Sequence, residues 1–556
     1  MPRSSSLPPR TGLAGLAENW RHDLISGFLV FLIALPLCLG IAMASGFPPM
    51  SGIIAAVIGG VVVSRISGSY VTINGPAAGL IVVILGAVQE LGQGDAMAGY
   101  RYTLAAIFMA SVLQVLMGVF KAGKLNAYFP SSVVHGMLGA IGVIIMAKQF
   151  HTLLGVKPQS KEILDTILEI PHSIVEFNPD IAIIGGIGLV IMIVWSLMKN
   201  RYLRMVPAPL IVVALGMMLE RYFDLDHEHV YMFMPDQTFL PHHEYTVGPR
   251  FLVSIPENVM SSFFFPDFGK VATGEFWAAV ITICLVGSLE TLLSATAVEK
   301  LDPYKRRSNL NHDLTAVGIG NLLSSAVGCM PMIAEIVRSS ANINNGARTG
   351  WSNFFHGTFL AVFVIVFPWL IHEIPLASLA ALLIYTGSRL ASPREFAKTM
   401  AIGKEQLLIF VTTILAVVAT DLLVGVLIGI LLKLIIHLTR GVSLRDLLRI
   451  SYEVHQEEKR TYRIRISGSA IFANFIGLKS ELDDFPNGKT IIFDVTDAAY
   501  IDHTVMDFIH HFQRDYVDHG GSCEIHGLES LESYSTHPLS ARRRKNSRPK
   551  PLQASR

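Results

Sequence analysis

Between about Leu24 and Leu438 the chain is a succession of apolar runs separated by short polar breaks. The runs are apolar on every side. They lack the period of two of a membrane barrel strand and the polar stripe of a soluble helix, so each predicts a helix surrounded by lipid or by other helices. A crossing takes about 20 residues, and fourteen runs follow one another: 24–45, 50–66, 75–90, 102–120, 130–152, 180–198, 206–220, 276–298, 313–330, 333–345, 353–371, 374–388, 406–420 and 421–439. Two of these are too short to cross alone.

Composition makes the same case. Hydrophobic residues form 51% of the 556 and charged ones 16%, against about 25% charged in soluble chains; mean hydropathy is +0.48. A net charge of +1 offers nothing to nucleic acid. Cys38, Cys284, Cys329 and Cys523 form no C-x-x-C pair, and the first three lie in apolar runs, so neither a disulfide framework nor a zinc site is indicated. The start of the chain carries Pro, Ser and Arg and shows no cleavable signal peptide. Charge returns from Arg440 onward. The chain therefore divides into a cytoplasmic N-terminal segment (1–22), a transmembrane domain (23–440), a linker (441–460), a soluble domain (461–532) and a basic tail (533–556). The tail has no core-forming residues and is expected to be disordered.

Lys and Arg gather on the cytoplasmic side of membrane proteins. With a cytoplasmic N-terminus the even-numbered spans end inside, and the basic residues follow them: Lys121 and Lys124 after span 4, Lys199, Arg201 and Arg204 after span 6, Lys300, Lys305, Arg306 and Arg307 after span 8, Arg389, Arg394, Lys398 and Lys404 after span 12. The segment 221–275 after span 7 is acid-rich instead. Both termini are expected in the cytoplasm.

Spans 3 and 10 are interrupted. One reads Gly68-Ser-Tyr-Val-Thr-Ile-Asn-Gly-Pro-Ala-Ala-Gly-Leu80, the other Gly328-Cys-Met-Pro-Met-Ile-Ala-Glu-Ile-Val-Arg-Ser-Ser-Ala-Asn342: an extended stretch, a Pro, then a helix. They are seven spans apart, so the two halves run in opposite directions, and paired broken spans at matching positions point to a transporter's binding site. A half-helix leaves its first N–H groups unpaired, with about half a positive charge at that end. Two such ends at the midplane make an anion site, and Arg338 adds a full charge. A membrane-buried arginine costs about 2.5–3.5 kcal/mol on insertion scales. Glu290 lies in mid-span 8 and reads either as a cation or proton site, with Thr291 or Ser294 supplying oxygens, or as a protonated acid bonded across helices. Glu335, three residues before Arg338, shares its helix face and reads as its ion partner or as a cation ligand.

The residues Asp23-Leu-Ile-Ser-Gly-Phe-Leu-Val with Ala34-Leu-Pro36, Ile73-Asn-Gly-Pro-Ala-Ala-Gly79, Leu289-Glu290, Arg338-Ser-Ser-Ala-Asn342 and Gly346-Ala-Arg348 occur together. In that combination, from Trp20 to about Leu531, the chain resembles the SulP family of anion transporters with a C-terminal STAS domain. The resemblance implies an all-α membrane domain of fourteen segments in a seven-plus-seven inverted repeat, like that of uracil transporters. Spans 1–4 and 8–11 would move as a core against the rest in an elevator-like cycle, in a homodimer. The anion would lie between spans 1, 3, 8 and 10, at Pro36, Gly75, Pro76, Ala77, Ala78, Ile333, Ala334 and Arg338. The family moves sulfate, bicarbonate, chloride, oxalate or dicarboxylates. Here Leu37 and Cys38 stand where many relatives have Gln, and Ile333-Ala-Glu-Ile-Val337 replaces a Gly-Ser-type polar run. A pocket that loses hydroxyl and amide donors and gains an acid fits a singly charged anion moved with a cation, as in bicarbonate handling.

In the soluble domain, Tyr462-Arg-Ile-Arg-Ile466 alternates, Lys489 to Thr496 reads as a buried strand, Val505 to Val517 as a helix and Gly521 to Gly527 as another strand. This order resembles the α/β STAS fold. Thr504 then occupies the regulatory phosphorylation loop, with His503 and Thr504 in place of the commoner Ser pair; a dimer-contact or trafficking role, or a cytoplasmic regulator as partner, is the alternative. The groups Asp226-His-Glu-His229 with His242-His243, and His510-His511, read as solvated loops and not as metal sites, and His135 and His356 as hydrogen-bonded packing residues. Nothing resembles a nucleophile–base pair, so no enzyme and no cofactor are expected, only Na⁺ as a coupling ion. The function expected is a secondary active transporter of a small inorganic anion in a bacterial inner membrane, for bicarbonate or sulfate, coupled to Na⁺ or H⁺ through Glu290. An uncoupled exchanger and a membrane sensor signalling through its STAS domain are the alternatives.

Overall fold

The computed structural model describes residues 8–123, 129–158, 160, 162–198, 206–232, 244–255, 263–458, 460–483, 485, 488–518 and 520–545. Lys124, Lys199, Arg201, Arg204, His242 and His243 lie outside them. The chain separates into two compact units, residues 1–123 with 141–391, and residues 124–140 with 392–556.

Runs 75–90 and 333–345 open on short strands, and each apolar run contains a helix. Those that matter below are span 1 (Gly12–Ala44), span 3 (Ile81–Gly92, entered by the 3₁₀ turn Ala78–Leu80), span 4 (Ala96–Val119), span 7 (Ala208–Tyr222), span 8 (Gly274–Leu301), span 9 (Leu310–Ala326), span 10 (Ile336–Asn344), span 11 (Trp351–Val366) and span 14 (Leu422–Thr439). Seven helices among the described residues have the length and apolarity to cross a membrane, and two shorter apolar ones, Ala78–Gly92 and Trp351–Val366, accompany them.

The first unit packs span 1 at its centre, with Phe31, Leu39 and Ile53 buried against Leu360, Val364 and Leu379. Its helix starts at Gly12, within the expected N-terminal segment 1–22, so the polar turns up to Asp23 continue span 1. They are held because Asp23, fully buried, accepts hydrogen bonds from the Arg348 and Thr349 amides at 2.8 and 3.1 Å, which ties span 1 to the turn that leads into span 11.

Eleven short strands are present among the described residues: β1 (Ile73–Gly75), β2 (His229–Met232), β3 (Glu244–Val247), β4 (Ile333–Glu335), β5 (Ser451–Glu458), β6 (Thr461–Ala470), β7 (Thr490–Asp494), β8 (Ala498–Ile501), β9 (Ser522–His526), β10 (Leu531–Ser533) and β11 (Arg542–Arg544). β2 and β3 form a hairpin. The last seven build one sheet in the order β10-β11-β8-β6-β7-β9, with β5 also on β6. β6 pairs in parallel with β7 and β8, and β7 with β9. The helix His503–Asp518 lays Val505, Met506, Ile509 and Phe512 on Ile464, Ile466, Ile491 and Phe493.

Two boundaries shift. The expected linker 441–460 contains β5, antiparallel to β6 from Ser451↔Ser467 to Glu458↔Thr461. The expected disordered tail is built into the sheet up to Lys545: β11 lies between β10 and β8, and Ser540 and Ala541 before it are fully buried.

Candidate functional site

Gly75-Pro76 breaks span 3 because proline carries no N–H and drives the residue before it out of the helical region. The freed backbone at membrane depth must find partners within the protein. It finds them in span 10: β1 pairs antiparallel with β4, with Ile73 opposite Glu335, Asn74 opposite Ala334 and Gly75 opposite Ile333. Side chains of span 10 complete the join. Ser339 Oγ accepts from the Ile73 amide at 2.9 Å, and Asn342 Nδ2 donates to the Val71 carbonyl at 2.8 Å. Ser26 of span 1 donates to Asn342 Oδ1 at 2.7 Å. On the other side Asn321 Oδ1 of span 9 accepts from the Met332 amide at 2.6 Å, and Asn321 Nδ2 donates to Gln114 Oε1 of span 4 at 3.0 Å.

Arg338 is buried at 1% exposure. Its Nη2 donates to the Pro76 carbonyl at 2.7 Å and its Nη1 to Cys38 Sγ at 3.5 Å, while Nε has no partner among the described residues. The guanidinium thus crosses from span 10 to the break in span 3 and to span 1. A Cβ on Gly75 would sit 2.5 Å from Nη1, so glycine is what admits the arginine. The expected ion pair with Glu335 does not form: Glu335 Oε2 instead accepts from the Arg338 amide at 2.8 Å and caps the span 10 half-helix. The same three-residue spacing serves a carboxylate cap and an ion pair, and here the backbone wins. The half-helix also begins at Ile336, so Ile333 and Ala334 lie in β4 ahead of it.

Glu290 is buried at mid-span 8, against the start of the other half-helix. A Cβ on Gly79 would overlap its Oε1, so the carboxyl rests on the 3₁₀ turn where unpaired N–H groups gather. Glu290 Oε1, Thr291 Oγ1 and Ser288 Oγ are buried without a hydrogen-bond partner among the described residues. Ser294 is buried one turn further along span 8. Each positive helix end therefore faces a carboxyl group, and one arginine stands among two acids.

Of the expected site residues, Gly75, Pro76, Ala77, Ala78, Ile333, Ala334 and Arg338 are brought together by the strand pair, with Glu290 and Thr291 beside the entry to span 3. Pro36 is not: it lines an apolar cleft, and Cys38 is the span 1 residue that reaches Arg338. Gln114 and Asn321 were not singled out, and Cys38, Ser339 and Asn342 were named only as parts of motifs. Their signal is a lone polar group inside an apolar run, which membranes tolerate only with a partner. His356, expected to be hydrogen-bonded, is fully buried with neither ring nitrogen partnered among the described residues. No group of three or more metal-ligating side chains occurs among the described residues.

Thr504, the candidate regulatory residue, accepts a hydrogen bond from Lys433 Nζ of span 14 at 2.8 Å. Lys433 is fully buried, lies 3.3 Å from Asp502 Oδ2, and has its ammonium 4.9 Å from the Phe472 ring centre. His437, one turn on, has Nε2 3.5 Å from the same oxygen. Burial alone would raise the Asp502 carboxyl, but Lys433 and His437 hold it well below the usual carboxylate range. Arg440 extends the row, donating to Tyr500 Oη at 3.2 Å and stacking on Tyr534 at 3.8 Å.

A bundle of membrane helices in which two broken spans meet end to end, around a buried arginine and two carboxyl groups, is built to hold a small charged solute away from lipid. The comparisons agree. The model of the sulfate permease family matches residues 20–413, and the chain belongs to that family. It is 28% identical over 94% of its length, and 94% of the relative's, to "Putative sulfate transporter YvdB" of Bacillus subtilis (strain 168). It is 23% identical to the bicarbonate transporter BicA of Picosynechococcus sp., over 87% of this chain and 84% of that one. Among solved structures, the transmembrane domain of a cyanobacterial BicA superposes with a TM-score of 0.62 at 22% identity, covering 73% of this chain and 97% of that one. The murine Solute Carrier 26 family member A9 anion transporter, in its inward-facing state, gives 0.64 at 14% identity over 91% and 85%. The homologues are transporters and not enzymes, and the protein is a multi-pass member of an anion transporter family.

Proposed function

We propose that the protein is a secondary active transporter that carries a singly charged inorganic anion, bicarbonate in the first place, together with Na⁺ or H⁺. The observation that carries this reading is the charge count of the site. Arg338 supplies one positive side chain, already engaged by the Pro76 carbonyl, while Glu290 and Glu335 supply two acids. An anion entering beside ionised carboxylates meets an excess of negative charge at low dielectric, where such repulsion is strong. A cation or proton at Glu290 removes it, and its Oε1 has no other hydrogen-bond partner among the described residues. Cation first and anion second is then the favourable order. The names of relatives support both substrates, bicarbonate for BicA and sulfate for YvdB. A doubly charged sulfate would need further positive charge.

The rest of the reading follows the family: fourteen spans, a STAS domain formed by β5–β11, cytoplasmic termini in a bacterial inner membrane, a homodimer, and spans 1–4 with 8–11 moving as a core. The test is uptake of labelled bicarbonate and sulfate by proteoliposomes, with and without Na⁺ and pH gradients. Bicarbonate flux should require a cation gradient, lose that requirement or cease in Glu290→Gln, and cease in Arg338→Ala. Gradient-independent sulfate exchange surviving Glu290→Gln would refute the coupling and leave an exchanger. Retained ligand binding without flux would leave a sensor.

A further inference from the structure

A cleft of about 480 Å³ lies between span 1, span 7 and the end of span 11. Phe31, Leu35 and Pro36 form one wall, Leu210 and Met217 another, and Arg221 with Glu373 closes one end. Its lining includes Pro36 but none of Cys38, Gly75, Pro76, Glu290 and Arg338, so this space is distinct from the site around Arg338.

We propose that the cleft holds an acyl chain of a membrane phospholipid with a zwitterionic headgroup, its phosphate on Arg221 and its ammonium on Glu373. Three observations converge. The helices around the cleft turn apolar side chains outward, Met218 at 68%, Ile365 at 73% and Val366 at 53% exposure, so the medium beside it is hydrocarbon. From Leu210 to Arg221 span 7 rises about 16 Å, close to half of the ~30 Å hydrocarbon core, the depth of one leaflet. The cleft is also polar at one end only. There Arg221 Nη2 donates to both carboxylate oxygens of Glu373 at 2.8 Å, and Tyr222 and Trp369, 79% and 55% exposed, mark the headgroup level. A guanidinium beside a carboxylate presents both charges that a phosphate–ammonium headgroup needs, and an apolar cavity of this kind does not hold water.

The test is native mass spectrometry of the full chain, purified in mild detergent and supplied separately with phosphatidylethanolamine and phosphatidylglycerol. One phosphatidylethanolamine per chain should be retained. Arg221→Ala and Glu373→Gln should each weaken retention several-fold, and Ala214→Trp, a bulky side chain at an exposed cleft position, should abolish it. Leu210→Trp fills the far end and serves as the second variant if Ala214→Trp is not monodisperse. No retained lipid, or equal retention in both filled variants, overturns the proposal. Equal retention of phosphatidylglycerol overturns the zwitterionic headgroup. A change of oligomeric state in the filled variants with no change in lipid assigns the face to a second copy of the chain and likewise overturns it. None of these readouts depends on which anion is carried.

Discussion

Lys433→Met gives the sharpest test of the C-terminal arrangement. It removes three interactions at once, with Asp502 at 3.3 Å, with Thr504 at 2.8 Å and with the Phe472 ring, and leaves a fully buried carboxylate without its main counter-charge. Breaking a buried pair from one side costs about 3–5 kcal/mol. At about 2–4 °C per kcal/mol for a domain of 150–250 residues, the apparent melting temperature should fall by roughly 6–20 °C. The pH dependence should also change sign. In the wild type the Asp502 carboxyl is held low, so its contribution to stability is present above the ordinary carboxylate range and is lost as pH falls through its own lowered value. Without Lys433, burial dominates and raises that carboxyl, so stability is fully present in acid and is lost as pH rises. Thermal unfolding of the full chain in detergent at pH 8 and pH 5 reads both effects. Lys433→Met should be far less stable than wild type at pH 8, with the gap narrowing at pH 5. Lys433→Met with Asp502→Asn should recover part of the loss, because the amide removes the stranded charge while its Oδ1 still accepts from the Val505 N–H. An unchanged melting temperature in Lys433→Met, or a double variant whose losses simply add, would refute the reasoning.

Other expectations concern the membrane site. Gly79→Ala should abolish flux while leaving the chain folded, since the new Cβ overlaps Glu290 Oε1 at the entry to span 3; substrate uptake and gel filtration together check it, and wild-type uptake would refute the contact. Asn321→Ala orphans the Met332 amide and should cost about 1–3 kcal/mol, read as a lower melting temperature with weaker anion uptake. Glu335→Gln keeps an acceptor for the Arg338 amide but removes a negative charge, so it should retain stability while relaxing the cation requirement of uptake; Glu335→Ala should lose both. Truncation after Ser540 removes β11 and should lower the yield of monodisperse protein.

The helical runs were legible because lipid leaves a backbone few other choices. The breaks at Gly75-Pro76 and Pro331 were legible for a related reason, since proline cannot continue a helix. Their pairing was not: β1 and β4 hold three residues each, too few for a period of two to register. Arg338 stood out by its cost in a membrane, but its partners are a carbonyl and a thiol, which no side-chain pattern announces. Glu335 was open to a reading as the ion partner of Arg338 because its spacing fits an ion pair and a helix cap equally well. In the C-terminal region Tyr452 and Val454 alternate as a strand should, and both are packed on the core, yet the flanking charges concealed β5. β11 reads Arg-Arg-Arg; its place is set by backbone pairing with Tyr500 and Ile501, to which composition is blind.

The position of β11 also bears on the order in which the molecule is made. The strand it joins, β8, precedes it by some forty residues, so while the chain is being synthesised from its N-terminus the sheet must wait with one side of β8 open. An open strand edge is a template for pairing with other chains. Until Arg542–Arg544 are made, the newborn protein carries a sticky seam, and that strand is the clasp that shuts it.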